Sequence, residues 1–245
     1  MQILKRLDSD RNKLNLICFP FAGGYSASFR PLHKYLQGLC AMHVVEPPGH
    51  GTNKMPLEDN FENLVDLYKK MLLEFKNDCF ILFGHSMGGL IVYRLLQELE
   101  LEGVYPKTAI ISGIQAPGVK RKKISHLSRE EFVSYVAKLG GIPEELLENK
   151  DILDYFLPSL RSDYYALEEF EHNNHTMVQT PVHIFNGRQD YKCFNNQMEW
   201  NQWIKTVNYY DFEGGHMFPL SNSKKVALEI QQIIQNMEVH LLSKE

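Results

Sequence analysis

The sequence predicts an α/β fold, a mostly parallel, doubly wound sheet with helices on both faces. Short β-branched or aromatic runs alternate along the chain with segments of helical periodicity. Several of those runs are apolar throughout, as strands must be when helices cover both faces of their sheet. A serine bracketed by glycines, Gly84-His85-Ser86-Met87-Gly88, also stands directly after one such run and directly before a helical segment.

The runs that read as strands are Leu14 to Phe19, Met42 to Glu46, Cys79 to Phe83, Thr108 to Ser112, Val182 to Phe185 and Val207 to Phe212. Between them, Phe61, Leu64, Val65, Tyr68, Met71, Leu72 and Phe75 recur at three- and four-residue steps, and so do Val226, Ile230, Ile233, Ile234 and Met237 near the end. The alternation breaks from about Gln115 to about His175. There, short helical patterns follow one another, punctuated by Pro143 and Pro158, and Leu127-Ser128-Arg129-Glu130-Glu131 reads as a helix start. An all-helical insertion after a sheet strand predicts a lid over the strand ends, where open α/β sheets place their sites. Ordinary crossover helices are the alternative. Residues 1–245 thus read as one domain, with a helical lid at 115–175 inside it.

Composition narrows the function classes. The 245 residues are 44% hydrophobic and 23% charged, enough for a sizeable core, and a net charge of −4 points away from nucleic acid. Cys18, Cys40, Cys79 and Cys193 are scattered without a CxxC pair, so buried thiols in a reducing compartment are expected rather than a disulfide framework or a zinc site. Met1 to Lys13 mixes Lys5, Arg6, Asp8, Asp10 and Arg11 with few apolar residues, unlike a signal peptide. No run approaches the roughly 20 apolar residues that span a bilayer. A soluble cytoplasmic protein is expected.

Gly84-His85-Ser86-Met87-Gly88 is a G-x-S-x-G nucleophile elbow in the strand–turn–helix context that gives the motif meaning. A serine on so sharp a turn is strained and crowded, so its flanking positions must lack side chains. The following helix aims its N-terminal N–H groups at developing negative charge. A serine hydroxyl needs a base, and in the α/β-hydrolase fold the chain order is serine, acid, histidine. His216 sits late in the chain in the glycine turn Glu213-Gly214-Gly215-His216-Met217, after a strand. His33, His43 and His50 precede the serine; His85 is too close to it to turn back; His126, His172 and His175 fall in the helical stretch, and His183 is within a strand. The acid belongs after the strand preceding the histidine's, where Asn186-Gly187-Arg188-Gln189-Asp190 supplies Asp190. Asp211, Glu213 and Asp163 are its competitors. For the oxyanion, one N–H is expected from Met87 and a second from the loop Pro20-Phe21-Ala22-Gly23-Gly24-Tyr25, with Ala22 preferred to Phe21.

Two further motifs stay open. Glu46-Pro47-Pro48-Gly49-His50-Gly51 predicts a rigid loop near the same sheet edge, with His50 structural or, alternatively, a ligand or catalytic group. The run Lys120-Arg121-Lys122-Lys123 reads as a solvated face or as a patch for an acidic partner or a phosphate.

Together these residues resemble the external, or type II, thioesterases that accompany nonribosomal peptide and polyketide synthetases. The likeness runs nearly end to end. It is carried by Cys18 to Tyr25, Glu46 to Gly51, Phe83 to Gly89, Phe185-Asn186-Gly187 with Asp190, and Gly214 to Phe218. The resemblance implies hydrolysis of acyl or aminoacyl groups from the phosphopantetheine arm of carrier proteins, which frees modules blocked by a wrong primer or a stalled intermediate. It implies a separate protein without a cofactor or metal of its own, with a small helical lid, and with the basic run facing the acidic carrier domain. A monomer is expected. A general carboxylesterase or lipase would share the triad, and a silent binding module that docks to synthetases would not need it.

Overall fold

A strand covered on both faces has no side free for polar side chains, and Leu16 to Phe19 and Ile81 to Phe83 are accordingly all fully buried. The computed structural model describes residues 3–8, 14–142 and 144–242, so Pro143, Asp10 and Arg11 lie outside the described residues. The strands are β1 Leu4–Arg6, β2 Leu14–Phe19, β3 Ala41–Val45, β4 Cys79–His85, β5 Ala109–Ser112, β6 Val182–Gly187 and β7 Val207–Phe212. They form one seven-stranded sheet in the order β1-β3-β2-β4-β5-β6-β7. Every pairing is parallel except that of β1 with β3.

The helices are α1 Arg30–Leu36, α2 Phe61–Leu72, α3 Met87–Leu101, α4 Arg129–Lys138, α5 Glu144–Glu148, α6 Lys150–Glu169, α7 Tyr191–Asn195, α8 Phe218–Ser221 and α9 Ser223–Leu242. They sort onto the two faces. Along β4, Phe80 and Leu82 pack into a core shared with α2, α3 and the helices after β5, whereas Ile81 and Phe83 pack into one shared with α1 and α9. The apolar stripes expected of α2 and α9 are the sides they bury, Phe61, Leu64, Val65, Tyr68 and Leu72 in one and Val226, Ile230, Ile233 and Ile234 in the other. This is the α/β-hydrolase architecture, and its C-terminal sheet edge carries the loops after β2, β4, β6 and β7.

Two elements differ from expectation. β1 is an edge strand with no sequence signal, because only three residues pair and two of them are Lys5 and Arg6. It is held by register, Lys5 opposite Val44, and by Lys5 Nζ at 3.7 Å from the buried Glu46 carboxylate. Pro158 does not separate helices but lies inside α6. A proline there removes one helical N–H, and the Ser159 hydroxyl donates to the Phe156 carbonyl at 2.9 Å in the same turn. Between β5 and β6 the described residues contain the helices α4, α5 and α6 and no strand of the main sheet. α4 starts at Ser128, whose side chain accepts from Glu131 N–H while the Glu131 carboxylate takes the Ser128 N–H. All four cysteines are free thiols. Among the described residues no helix is long and apolar enough to cross a membrane.

Phe83 is fully buried and meets Phe29 of the opposing layer edge-on at 6.0 Å. Phe83→Ala is expected to cost about 3–5 kcal/mol. Urea denaturation checks it, with a lower midpoint at unchanged slope.

Candidate active site

β4 ends in a turn that only a crowded, glycine-flanked sequence can make. Ser86 has φ +55°, the one positive φ outside glycine among the described residues, and its N–H donates to the Ser112 carbonyl of the neighbouring strand at 2.7 Å. A Cβ on Gly84 would lie 2.1 Å from the Gly88 carbonyl oxygen, and one on Gly88 would lie 2.1 Å from the Phe19 carbonyl oxygen. The start of α3 therefore presses against both its own strand and the end of β2, which leaves the serine side chain no direction but outward.

The histidine arrives from β7. The Ser86 hydroxyl donates to His216 Nε2 at 3.0 Å, and His216 Nδ1–H donates to Asp190 Oδ2 at 2.7 Å. Ser86, Asp190 and His216 are thus brought together as the sequence order anticipated. Burial alone would push the Asp190 carboxyl up. The hydrogen bond and charge of His216, with lesser help from Cys193, outweigh it and hold the carboxyl below its usual range. Asp211 is exposed on β7 and Glu213 pairs with Arg188 at 3.3 Å. Asp163 is engaged by His50 and by Gly23 N–H.

Sequence reasoning missed what holds the acid and base loops together. Gln189 N–H donates to the Gly214 carbonyl at 3.0 Å, and Gly214 N–H donates back to the Gln189 side-chain oxygen. Gly187 permits this close approach, since a Cβ there would be 2.5 Å from the Gly214 oxygen. It also missed His85, which forms the floor beneath His216. Its ring lies 5.3 Å from that of His216, flanked edge-on by Phe21 and Phe218, and Nδ1 bonds the Ser112 hydroxyl at 3.0 Å. Burial, reinforced by the charge of His216, pushes His85 down to about 3, so it stays neutral at physiological pH. The signal was available: a histidine inside an apolar strand beside the nucleophile has no water to share its charge.

Met87 begins α3, so its N–H has no partner within the helix. Among the described residues no backbone acceptor takes the N–H of Phe21, Ala22 or Met87. Beside this edge a largely apolar cavity of about 420 Å³ is walled by Phe21, Tyr25, Ile142, Leu153, Phe156 and Leu160. One atom each of Asp190, Cys193 and His216 lie within 4.8 Å of one another, a spacing that suits a metal. The donor set fits one poorly. Burial and the Asp190 charge push the Cys193 thiol well above its usual range, so no thiolate is on offer, and both His216 nitrogens are engaged.

The basic run is largely a solvated face, with Lys120, Lys122 and Lys123 exposed and Arg121 half-buried. Lys123 pairs with Glu169 at 2.5 Å, Lys122 lies over the Tyr135 ring at 5.1 Å, and Arg121 lies over Phe170 at 6.0 Å. Burial lowers the Arg121 guanidinium to about 10.

A family model described as "Thioesterase domain" matches residues 14–234. The chain is 27% identical over 224 residues to the gramicidin S biosynthesis protein GrsT of Aneurinibacillus migulanus, covering 89% of this chain and 87% of that one. It is 26% identical over 230 residues to a probable cadicidin biosynthesis thioesterase of Streptomyces griseus, covering 92% of this chain and 64% of that longer protein. Of solved structures, YbtT, described as the type II thioesterase from the yersiniabactin NRPS/PKS biosynthetic pathway, superposes with a TM-score of 0.85 at 28% identity, covering 96% of this chain and 99% of that one.

Because the folded-state pKa of Asp190 is depressed, its contribution to stability is complete above the unfolded value of about 3.9 and is lost as pH falls through the folded value. Urea denaturation from about pH 6 to about pH 2.5 is expected to show wild type losing stability more steeply than Asp190→Asn at the acid end. Parallel acid limbs would contradict the assignment.

Proposed function

The chain belongs to the thioesterase domain family, and from that membership we propose that it is a type II thioesterase of nonribosomal peptide synthesis. It hydrolyses misprimed or stalled acyl and aminoacyl thioesters from phosphopantetheinyl carrier proteins. The observation that carries this reading is one imidazole bonded at once to Ser86 Oγ at 3.0 Å and to Asp190 at 2.7 Å. The relatives named for gramicidin S biosynthesis and for the yersiniabactin NRPS/PKS biosynthetic pathway support the substrate class.

In this mechanism His216 Nε2 takes the Ser86 proton as Oγ attacks the thioester carbonyl carbon. The N–H groups of Met87 and Ala22 receive the charge that develops on the carbonyl oxygen. As the tetrahedral intermediate collapses, the C–S bond breaks and the pantetheine sulfur takes the proton from His216. Water then gives a proton to the same nitrogen while it attacks the acyl-Ser86 ester, and the acid leaves as Oγ recovers its proton. Asp190 keeps the proton of His216 on Nδ1, so that Nε2 faces the serine with its lone pair, and it stabilises the imidazolium. The acyl group lodges in the apolar cavity beneath α6, and the helices within 115–175 act as the lid of the single domain. The reaction draws on no cofactor or metal; the phosphopantetheine belongs to the partner. The protein acts as a monomer in the cytoplasm, where its free thiols stay reduced.

Comparing kcat/KM on acylated carrier proteins of varied chain length with that on simple aryl esters tests the reading. A strong preference for carrier-bound thioesters is expected, and equal or better turnover of aryl esters would favour a general esterase. Ser86→Ala is expected to abolish turnover with an unchanged circular dichroism spectrum. Asp190→Asn is expected to lose on the order of 10⁴ in kcat, and a loss of only a few-fold would hand the role to another carboxylate.

A further inference from the structure

The loop after β2 meets α6 at one point. Gly23, with φ +77°, sits so close to the helix that a Cβ would lie 2.8 Å from Leu160 Cδ1. Three residues further along the same face of α6, Asp163 Oδ2 accepts the Gly23 N–H at 2.7 Å. The turn is tight in itself, since Gly24 N–H donates to the Phe21 carbonyl at 2.8 Å. Asp163, Phe21 and Met87 line one small void, so the carboxylate lies close to the β2 loop and to the start of α3.

A carboxylate in that place is costly in two ways. It is buried to 4% exposure, and its charge opposes the negative charge that forms on the substrate oxygen. His50 answers both. Its Nε2 lies 3.0 Å from Asp163 Oδ2, off the line of a straight hydrogen bond, and its Nδ1 lies 2.9 Å from the Pro48 carbonyl. Both ring nitrogens face oxygens, and the doubly protonated ring presents an N–H to each. Burial opposes that charge, and Asp163 outweighs the burial, which holds the imidazole above its ordinary pKa. The pair is neutral as a unit, and Asp163 keeps its grip on the loop without repelling the oxyanion.

We propose that Asp163, held by the buried imidazolium of His50, is a positioning residue that fixes the turn Phe21 to Gly24 so that the N–H of Ala22 faces the oxyanion. It touches no reacting atom and acts through Gly23. The inference rests on Ser86 being the nucleophile, so Ser86→Ala is run alongside: if that variant still turns over, the mechanism above fails and the role of Asp163 is moot.

The test uses a soluble acyl-N-acetylcysteamine thioester and a phenylboronic acid, which forms a tetrahedral adduct on Ser86 and fills the oxyanion position. Asp163→Ala is expected to lower kcat by about 10- to 100-fold with KM changed by less than about threefold, less than deleting an oxyanion donor outright. Boronate affinity is expected to fall in step with kcat. Asp163→Asn, of the same shape and still able to accept from Gly23, is expected to recover most of that loss. A folded Asp163→Ala with wild-type kcat overturns the proposal, and so does an equal loss in the two variants. Should Asp163→Ala not fold, Asp163→Ser, too short to reach the Gly23 N–H, takes its place: matched losses in kcat and boronate affinity support the proposal, and a wild-type kcat, or a kcat loss with boronate affinity unchanged, overturns it. Nitrogen NMR of the wild-type protein is expected to show the His50 ring doubly protonated at about pH 7, and a neutral ring counts against the pair.

Discussion

The contact on which the site depends is the approach of Gly88 to the backbone of Phe19, where a single added carbon would sit 2.1 Å from a carbonyl oxygen. β2 and β4 are parallel neighbours in register, Phe19 opposite Gly84, so their ends arrive at the sheet edge together. The chain then leaves β4 for α3 without clearing its neighbour, and the turn residue is driven to φ +55°. That strain, of order 1–3 kcal/mol, is sustained by cores on both faces of the sheet. In return Ser86 stands at a helix N-terminus, beside the β2 loop that carries the other proposed oxyanion donor. Serine, helix end and loop are one mechanical object.

The base is held with comparable tightness from two sides. From below, the neutral ring of His85, itself packed edge-on against Phe218, gives His216 a floor that adds no competing charge. From the side, the reciprocal bonds of Gln189 and Gly214 lock the acid loop to the base loop, so the Asp190–His216 distance is set by backbone. His85 and His216 are close enough that protonating both would be costly. Burial of the first settles which ring carries the proton cycle.

The strands and the meeting of Ser86, Asp190 and His216 were legible because both follow from rules that act along the chain. Strands buried on both faces must be apolar, and the elbow demands glycine on either side of Ser86. The strand ends moved by a residue or two, and β6 runs on to Gly187, because hydrogen-bond ladders extend past the apolar residues that announce them. What was not legible depends on partners far away in sequence. β1 exists because Leu4 to Arg6 pair with β3 and Lys5 reaches Glu46; Pro158 is tolerated within α6 because tertiary packing outweighs the local break. Nothing around Gln189 foretells that its side chain will close on Gly214, nor that Arg121, Lys122 and Lys123 will find Phe170, Tyr135 and Glu169. Asp163 and His50 were each noticed singly. Their meaning lies in a contact between residues more than a hundred positions apart.

That contact changes what α6 is. As a wall of the apolar cavity, the helix contributes Leu153, Phe156 and Leu160, side chains that can hold an apolar group by area and not by direction. Were that all, the helix could shift by an ångström and lose little. Asp163 adds a directional bond from the same face to the turn Phe21 to Gly24, and a charge that must keep its counterion. Any movement of α6 away from the sheet edge therefore either breaks a buried charge-assisted bond or drags the turn with it. The helix that walls the apolar cavity and the turn Phe21 to Gly24 are coupled through one carboxylate. In the mechanism proposed, whatever an acyl group does to the position of the helix is felt where its carbonyl oxygen would bind.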